Sequence, residues 1–127
     1  MDNTDLREAS EDYLEAILNL EDDKGEVRSI DVANFLNVSR PSVNKAVGVL
    51  KEMGMVEQEP YSPIKLTDLG RMKASEVDRR HRALRRFLIE VLGVGPTTAD
   101  DDACKIEHVI SKQTMEKLID YLAEVTK

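Results

Sequence analysis

The sequence predicts a mainly α-helical chain interrupted by one short β-hairpin, and three observations carry that expectation. Aromatic residues are only 4% of the 127, with no Trp, 6 Gly and 4 Pro, while Leu, Val, Ile, Ala and Met are plentiful; this composition favours helix over sheet. Apolar residues recur at three- and four-residue spacing along most of the chain. Between Gly54 and Thr67 that period gives way to a strand, a turn and a strand. The length suits one domain of ordinary size or two small ones sharing a core, and a hydrophobic fraction of 41% excludes a disordered or fibrous chain.

The first helix is expected over about residues 3–21. Leu6, Ala9, Tyr13, Ile17 and Leu20 form its stripe, Leu14 and Leu18 widen it, and Asn3 and Thr4 are capping candidates. Asp12 and Glu15, three apart, share a flank, with Glu8 and Glu11 further round. Such carboxylates read first as a solvated acidic face. Asp22-Asp23-Lys24-Gly25 breaks the helix. Residues 1–24 hold nine acids against Arg7 and Lys24, which accounts for the whole net charge of -7. The remainder is balanced, so the overall charge does not exclude a nucleic-acid partner, and the acidic end can serve a cation.

From Val27 to Met53 two helices are joined by a tight turn. Ser29 is expected to cap the first. Ser39 caps the second, and Pro41 sits in its first turn, where a missing N–H does no harm. Val43, Val47 and Leu50 face inward, while Ser39, Arg40, Pro41, Ser42, Asn44 and Lys45 cluster at the N-terminal end. Hydroxyls, an amide and cations there suit a recognition helix, which meets base edges and phosphates at that end. Gly54 ends the helix, and Met55–Glu59, Pro60–Pro63 and Ile64–Thr67 read as a wing that adds Tyr61 and Lys65 to the candidate DNA contacts. A helix-turn-helix followed by a wing signals DNA binding, although a helical hairpin used for protein contacts has the same pattern.

The longest helix runs from about Asp68 to Leu92, capped by Thr67 and stopped by Gly93. Five arginines (79, 80, 82, 85 and 86) surround His81, and they read as a solvated face, a screen for acidic neighbours, or phosphate contacts. After the Gly93-Val94-Gly95-Pro96 break, Thr97 or Thr98 is expected to start a helix carrying Cys104, Glu107 and His108 on one face, with Ile106 and Val109 toward a core. Ser111 caps a last helix through Met115, Leu118, Ile119, Leu122 and Val125. Thiolate, carboxylate and imidazole bind divalent transition metals, yet the same three residues also fit a core cysteine, a core histidine and a solvated glutamate.

The single cysteine excludes an internal disulfide, the N-terminus is acidic where a signal peptide would be basic, and no apolar run approaches the ~20 residues that span a bilayer. A cytoplasmic protein is expected.

Taken together, Glu11-Asp12-Tyr13-Leu14-Glu15-Ala16-Ile17, Val38-Ser39-Arg40-Pro41-Ser42-Val43, Leu66-Thr67-Asp68-Leu69-Gly70, Arg80-His81-Arg82, Leu92-Gly93-Val94 and Cys104-Lys105-Ile106-Glu107-His108 resemble the DtxR/MntR family of iron- or manganese-dependent repressors, over essentially the full length. The resemblance implies an N-terminal winged helix-turn-helix over 1–72 and a C-terminal helical metal-binding and dimerisation domain over 73–127. It also implies a metal site where the first helix of the DNA-binding part meets the dimerisation part, with ligands Asp12, Glu15, His81, Cys104, Glu107 and His108.

The iron-sensing branch typically has Met where Asp12 stands and Cys where Cys104 stands, whereas the manganese-sensing branch has Asp and Glu. This sequence is a hybrid, so manganese(II) and iron(II) both stand as the effector. Arg85 replaces the acid that the iron branch's ancillary site needs, Cys104 replaces a bridging-capable carboxylate, and the chain's end at Lys127 leaves no SH3-like domain expected. The function implied is a homodimeric, metal-activated repressor of metal-uptake genes, not an enzyme. A metal-independent winged-helix regulator is one rival. A helical metalloenzyme is the other, weakened because Glu107 and His108 are adjacent where di-metal bundles place Glu and His three apart.

Overall fold

A computed structural model of the chain describes the backbone of residues 3–126 and the side chains of residues 9–126. In order, the elements are α1 (Asn3–Lys24), α2 (Ser29–Leu36), α3 (Arg40–Glu52), β1 (Val56–Glu57), β2 (Lys65–Leu66), α4 (Asp68–Glu90), α5 (Pro96–Ile106) and α6 (Lys112–Val125). The fold is mainly helical, as composition and periodicity predict. The chain divides into two compact units, Met1–Ser75 and Glu76–Lys127, with α4 running through the division.

In the first unit α1 packs on α2 and α3. Tyr13, Leu14, Ile17, Leu18 and Leu20 of α1 meet Val32 and Ala33 of α2, and Val43, Val47 and Leu50 of α3. The expected stripe on α1 therefore builds the core from Tyr13 onward, while Ala9 is exposed. The capping role of Asn3 and Thr4 and the packing of Leu6 fall outside the described side chains. The helix runs three residues beyond its expected end, through Lys24, and stops at Gly25, whose φ of 85° lies in the left-handed region that glycine enters without steric cost.

Helix α2 is capped differently from expectation. Arg28, not Ser29, is the N-cap, and its backbone N–H donates to the Asp31 carboxylate at 2.9 Å. Lys24 holds the same carboxylate at 3.1 Å. The Arg28 N–H, and next the Lys24 hydrogen bond, hold Asp31 below the ordinary carboxyl range. In α3 the Ser39 hydroxyl accepts from the Ser42 N–H at 3.2 Å, the cap that the sequence predicts.

The wing is shorter than expected: only Val56↔Leu66 and Glu57↔Lys65 pair, antiparallel. Pro60 and Pro63 have no N–H to donate, and Tyr61 turns the chain at a φ of 63°. Just before β2 the chain is instead tied to the segment before α2, where the Ile64 N–H donates to the Val27 carbonyl at 2.7 Å. Thr67 caps α4, accepting from the Gly70 N–H at 3.0 Å, and its hydroxyl donates to the Gly54 carbonyl at 2.7 Å. Gly70 is required by packing, because a Cβ there would lie 1.9 Å from the Met55 carbonyl oxygen.

In the second unit Leu84, Ala103 and Met115 form a small core, with Leu88, Ile106, Ile110, Leu118 and Ile119 against it. Val109, expected toward the core, is exposed; along the last helix Met115 and Leu122 are buried and Val125 is exposed. Gly95, not Thr97 or Thr98, is the N-cap of α5, with Pro96 at its first position. Ser111 caps α6, as expected, accepting from the Thr114 N–H at 3.1 Å. The arginine-rich face of α4 is largely paired with acids here: Arg82 with Asp78 at 2.9 Å, Arg86 with Glu90 at 2.6 Å and Arg85 with Asp100 at 3.4 Å.

Candidate metal centre and nucleic-acid interface

The candidate DNA-contacting residues all belong to the first unit, on α3 and the wing, and all are exposed. With Val43, Val47 and Leu50 buried, α3 must turn its opposite face to solvent, and Ser39, Arg40, Pro41, Ser42, Asn44 and Lys45 are all exposed. The Ser39 and Ser42 hydroxyls lie 2.8 Å apart, so the capping pair is also part of the exposed surface. On the wing Lys65 is exposed and the Tyr61 side chain is fully so, while its carbonyl accepts from Arg28 at 3.4 Å. Tyr61 is thus an aromatic in the turn of the wing whose side chain has no packing of its own.

Asp12 and Glu15 stand half-buried on one flank of α1. Between them Tyr13 is buried. Its burial, and then the charge of Asp12, push its hydroxyl above the ordinary tyrosine range.

The second unit gathers the other four candidates. His81 projects from α4 and Cys104 from the last turn of α5. Glu107 and His108 lie just beyond that helix, in the turn before α6, and not on it as expected. Glu107 is the C-cap with φ -58° and ψ -25°, still helical values, so the three- and four-residue relation to Cys104 survives. Cys104, Glu107 and His108 each offer a ligand atom within 4.8 Å of the others, and His81 and Glu107 do the same. The His81 Nδ1 lies 3.4 Å and the His108 Nε2 3.8 Å from Glu107 Oε1.

Glu107 is the decisive residue. It is 1% exposed, and among the described residues neither carboxylate oxygen has a hydrogen-bond partner. A carboxylate buried in this way costs several kcal/mol unless a charge compensates it. Facing a thiol and two imidazoles, it forms a donor set of the kind that holds a divalent transition metal, and the residues present fit such an ion.

Two supporting contacts, one by an arginine already noted and one by an acid not noted, lie outside the sequence reading. Arg80 donates from Nε to the Glu107 carbonyl at 3.1 Å, pinning the turn that carries two candidates. Asp100 lies 2.8 Å from His81 Nε2. The only sequence signal for Asp100 is its place four residues before Cys104, on the same face of α5.

A winged helix-turn-helix in one chain with this clustered thiol, carboxylate and imidazole set defines a metal-responsive DNA-binding regulator. Two family models match, "Iron dependent repressor, N-terminal DNA binding domain" over residues 5–64 and "Iron dependent repressor, metal binding and dimerisation domain" over residues 67–127. The chain belongs to the iron-dependent repressor family.

The transcriptional regulator MntR of Salmonella typhi is 37% identical over 113 residues, 89% of this chain and 71% of that protein. The diphtheria toxin repressor of Corynebacterium efficiens is 32% identical over 123 residues, 97% of this chain and 54% of that protein. Among solved structures, a manganese-dependent transcriptional repressor in complex with manganese matches with a TM-score of 0.82 at 30% identity, covering 90% of this chain and 52% of that one. IdeR of T. acidophilum matches with a TM-score of 0.79 at 29% identity, covering 89% and 53%. The chain thus spans about half the length of these two solved structures. No helix among the described residues is long and apolar enough to cross a membrane.

Proposed function

We propose that the chain is a cytoplasmic, homodimeric repressor of metal-uptake genes, in which manganese(II) or iron(II) is an effector and not a catalytic group. Residues 1–72 bind DNA through Ser39, Arg40, Pro41, Ser42, Asn44 and Lys45 of α3 and Tyr61 and Lys65 of the wing. Residues 73–127 dimerise and carry most of the metal site. The ligand set is His81, Cys104, Glu107 and His108 together with Asp12 and Glu15 of α1. The observation that carries this reading is the buried Glu107 carboxylate without a hydrogen-bond partner, set beside two imidazoles and a thiol.

A bound divalent cation supplies the positive charge that makes burying Glu107 and assembling the other acids favourable. The rest belongs to the chain. Asp12 and Glu15 are rigid parts of α1, the helix on which α2 and α3 pack, so ligation through them biases the placement of the recognition helix. Drawing ligands from both parts makes their arrangement the quantity that the effector selects, a population shift. Cys104, a soft donor among carboxylates, allows iron(II) as well as manganese(II).

The test is a mobility-shift titration of operator DNA with chelated protein and with protein loaded with each metal. DNA binding should appear only with metal. Lys45→Ala should weaken it and lower the magnitude of the salt slope by about one, while leaving the metal titration unchanged. Equal DNA affinity with and without metal favours the metal-independent regulator instead.

A further inference from the structure

We propose that Asp100 is the positioning residue of the metal centre: it fixes the tautomer and orientation of His81 so that Nδ1, and not Nε2, is the metal-binding nitrogen. This rests on the metal reading above. Oδ1 of Asp100 lies 2.8 Å from His81 Nε2, and Arg85 Nε approaches the same oxygen at 3.4 Å. A carboxylate only accepts, so the hydrogen at this contact belongs to Nε2. In a neutral ring Nδ1 then carries the lone pair, and it faces Glu107 Oε1 at 3.4 Å.

Two acceptors opposed at that distance repel, and a cation bound to both removes the repulsion. Arg85 acts one step further out. Its guanidinium attracts the Asp100 carboxylate from the far side, which steadies an acid that is itself 58% exposed. The long-helix arginine and the α5 acid thus form a chain, Arg85 to Asp100 to His81, that ends on the ligand nitrogen and lies wholly within the second unit. Partners of this kind fix ring orientation and raise the basicity of a metal-bound imidazole; losing one costs roughly 10- to 100-fold in metal affinity.

The test combines a metal-free and a metal-loaded measurement on the full chain. In metal-free, 15N-labelled protein above the imidazole titration range, long-range proton–nitrogen correlation assigns the protonated nitrogen of each ring, and the chain's two histidines keep that assignment simple. Wild type should show His81 protonated at Nε2, with a hydrogen-bonded downfield ring N–H. In Asp100→Ala that resonance should be lost, and manganese(II) affinity should fall about 10- to 100-fold. Asp100→Asn, which keeps an acceptor oxygen, should recover the resonance and most of the affinity, a rescue that a merely structural role for Asp100 does not explain.

An Asp100→Ala protein with wild-type manganese(II) affinity overturns the proposal. So does one that loses affinity with the ring resonance unchanged, since Asp100 would then act by its charge alone. Failure of wild type to bind manganese(II), with the His81 resonance as expected, overturns the metal reading itself.

Discussion

Replacing Glu107 by Gln should stabilise the metal-free protein while removing its response to metal. The side chain is fully buried, and neither oxygen has a hydrogen-bond partner among the described residues. An ionised group in that position costs several kcal/mol, whereas an unsatisfied amide of the same shape costs about 1–3 kcal/mol. The exchange should therefore gain about 1–3 kcal/mol in the presence of chelator. For a chain of this size that is a rise in Tm of roughly 3–10 °C, measurable by thermal unfolding followed by circular dichroism. In wild type, manganese(II) at about a hundred times Kd should add some 2.7 kcal/mol, and in Glu107→Gln that increment should be largely absent. The two effects have opposite signs, which an ordinary core role does not produce. A Glu107→Gln protein that is less stable in chelator and still stabilised by manganese(II) would refute the reasoning.

Other outcomes follow from particular contacts. Gly70→Ala drives a methyl into the Met55 carbonyl, 1.9 Å from its oxygen, and should cost about 3 kcal/mol in urea unfolding, toward the upper end for overpacking. Asp31 has a folded-state pKa below its usual 3.8, so its contribution is present above that value and is lost as pH falls through the lower folded value. Asp31→Ala should accordingly cost about 1 kcal/mol at neutral pH, and the difference from wild type should vanish at the acid end of a stability profile. Cys104→Glu should shift activation of DNA binding toward manganese(II). Cys104→Ala should weaken the iron(II) response more than the manganese(II) response, measured anaerobically; an unchanged order of preference in both variants means that the thiol does not coordinate.

Much of this molecule was legible because burial follows a 3.6-residue period. Tyr13, Ile17 and Leu20, and then Val43, Val47 and Leu50, could be placed in the core from spacing alone, and Ser39, Thr67 and Ser111 cap their helices as predicted. What failed was set by groups far apart in sequence or by the backbone. The Val27–Ile64 bridge that anchors the wing joins segments 37 residues apart, and no local pattern announces it. The cap of α2 falls at Arg28 and not Ser29 because the Asp31 carboxylate, from inside the helix, accepts the Arg28 backbone N–H.

At the candidate site the residue types and their spacing were readable, and so was the proximity of Glu107 and His108 to Cys104. Their position in a turn was not, because a C-cap with helical angles preserves the three- and four-residue relation past the helix end. Val109 is the visible consequence: it was expected inside and is exposed, since the chain has left the helix by then. Asp100 was passed over because a charged residue on an exposed face has no periodicity to mark it, and Arg80, read as one of five helix arginines, bonds a carbonyl 27 residues away that no local pattern announces.

The central claim is that metal and DNA are coupled through one protein equilibrium, and coupling of that kind is reciprocal. Calorimetric titration of manganese(II) into wild-type protein, with and without saturating operator DNA, tests it against the DNA affinity measured with and without manganese(II). The account predicts that DNA tightens metal binding by the same factor by which metal tightens DNA binding. A metal affinity indifferent to DNA would contradict it.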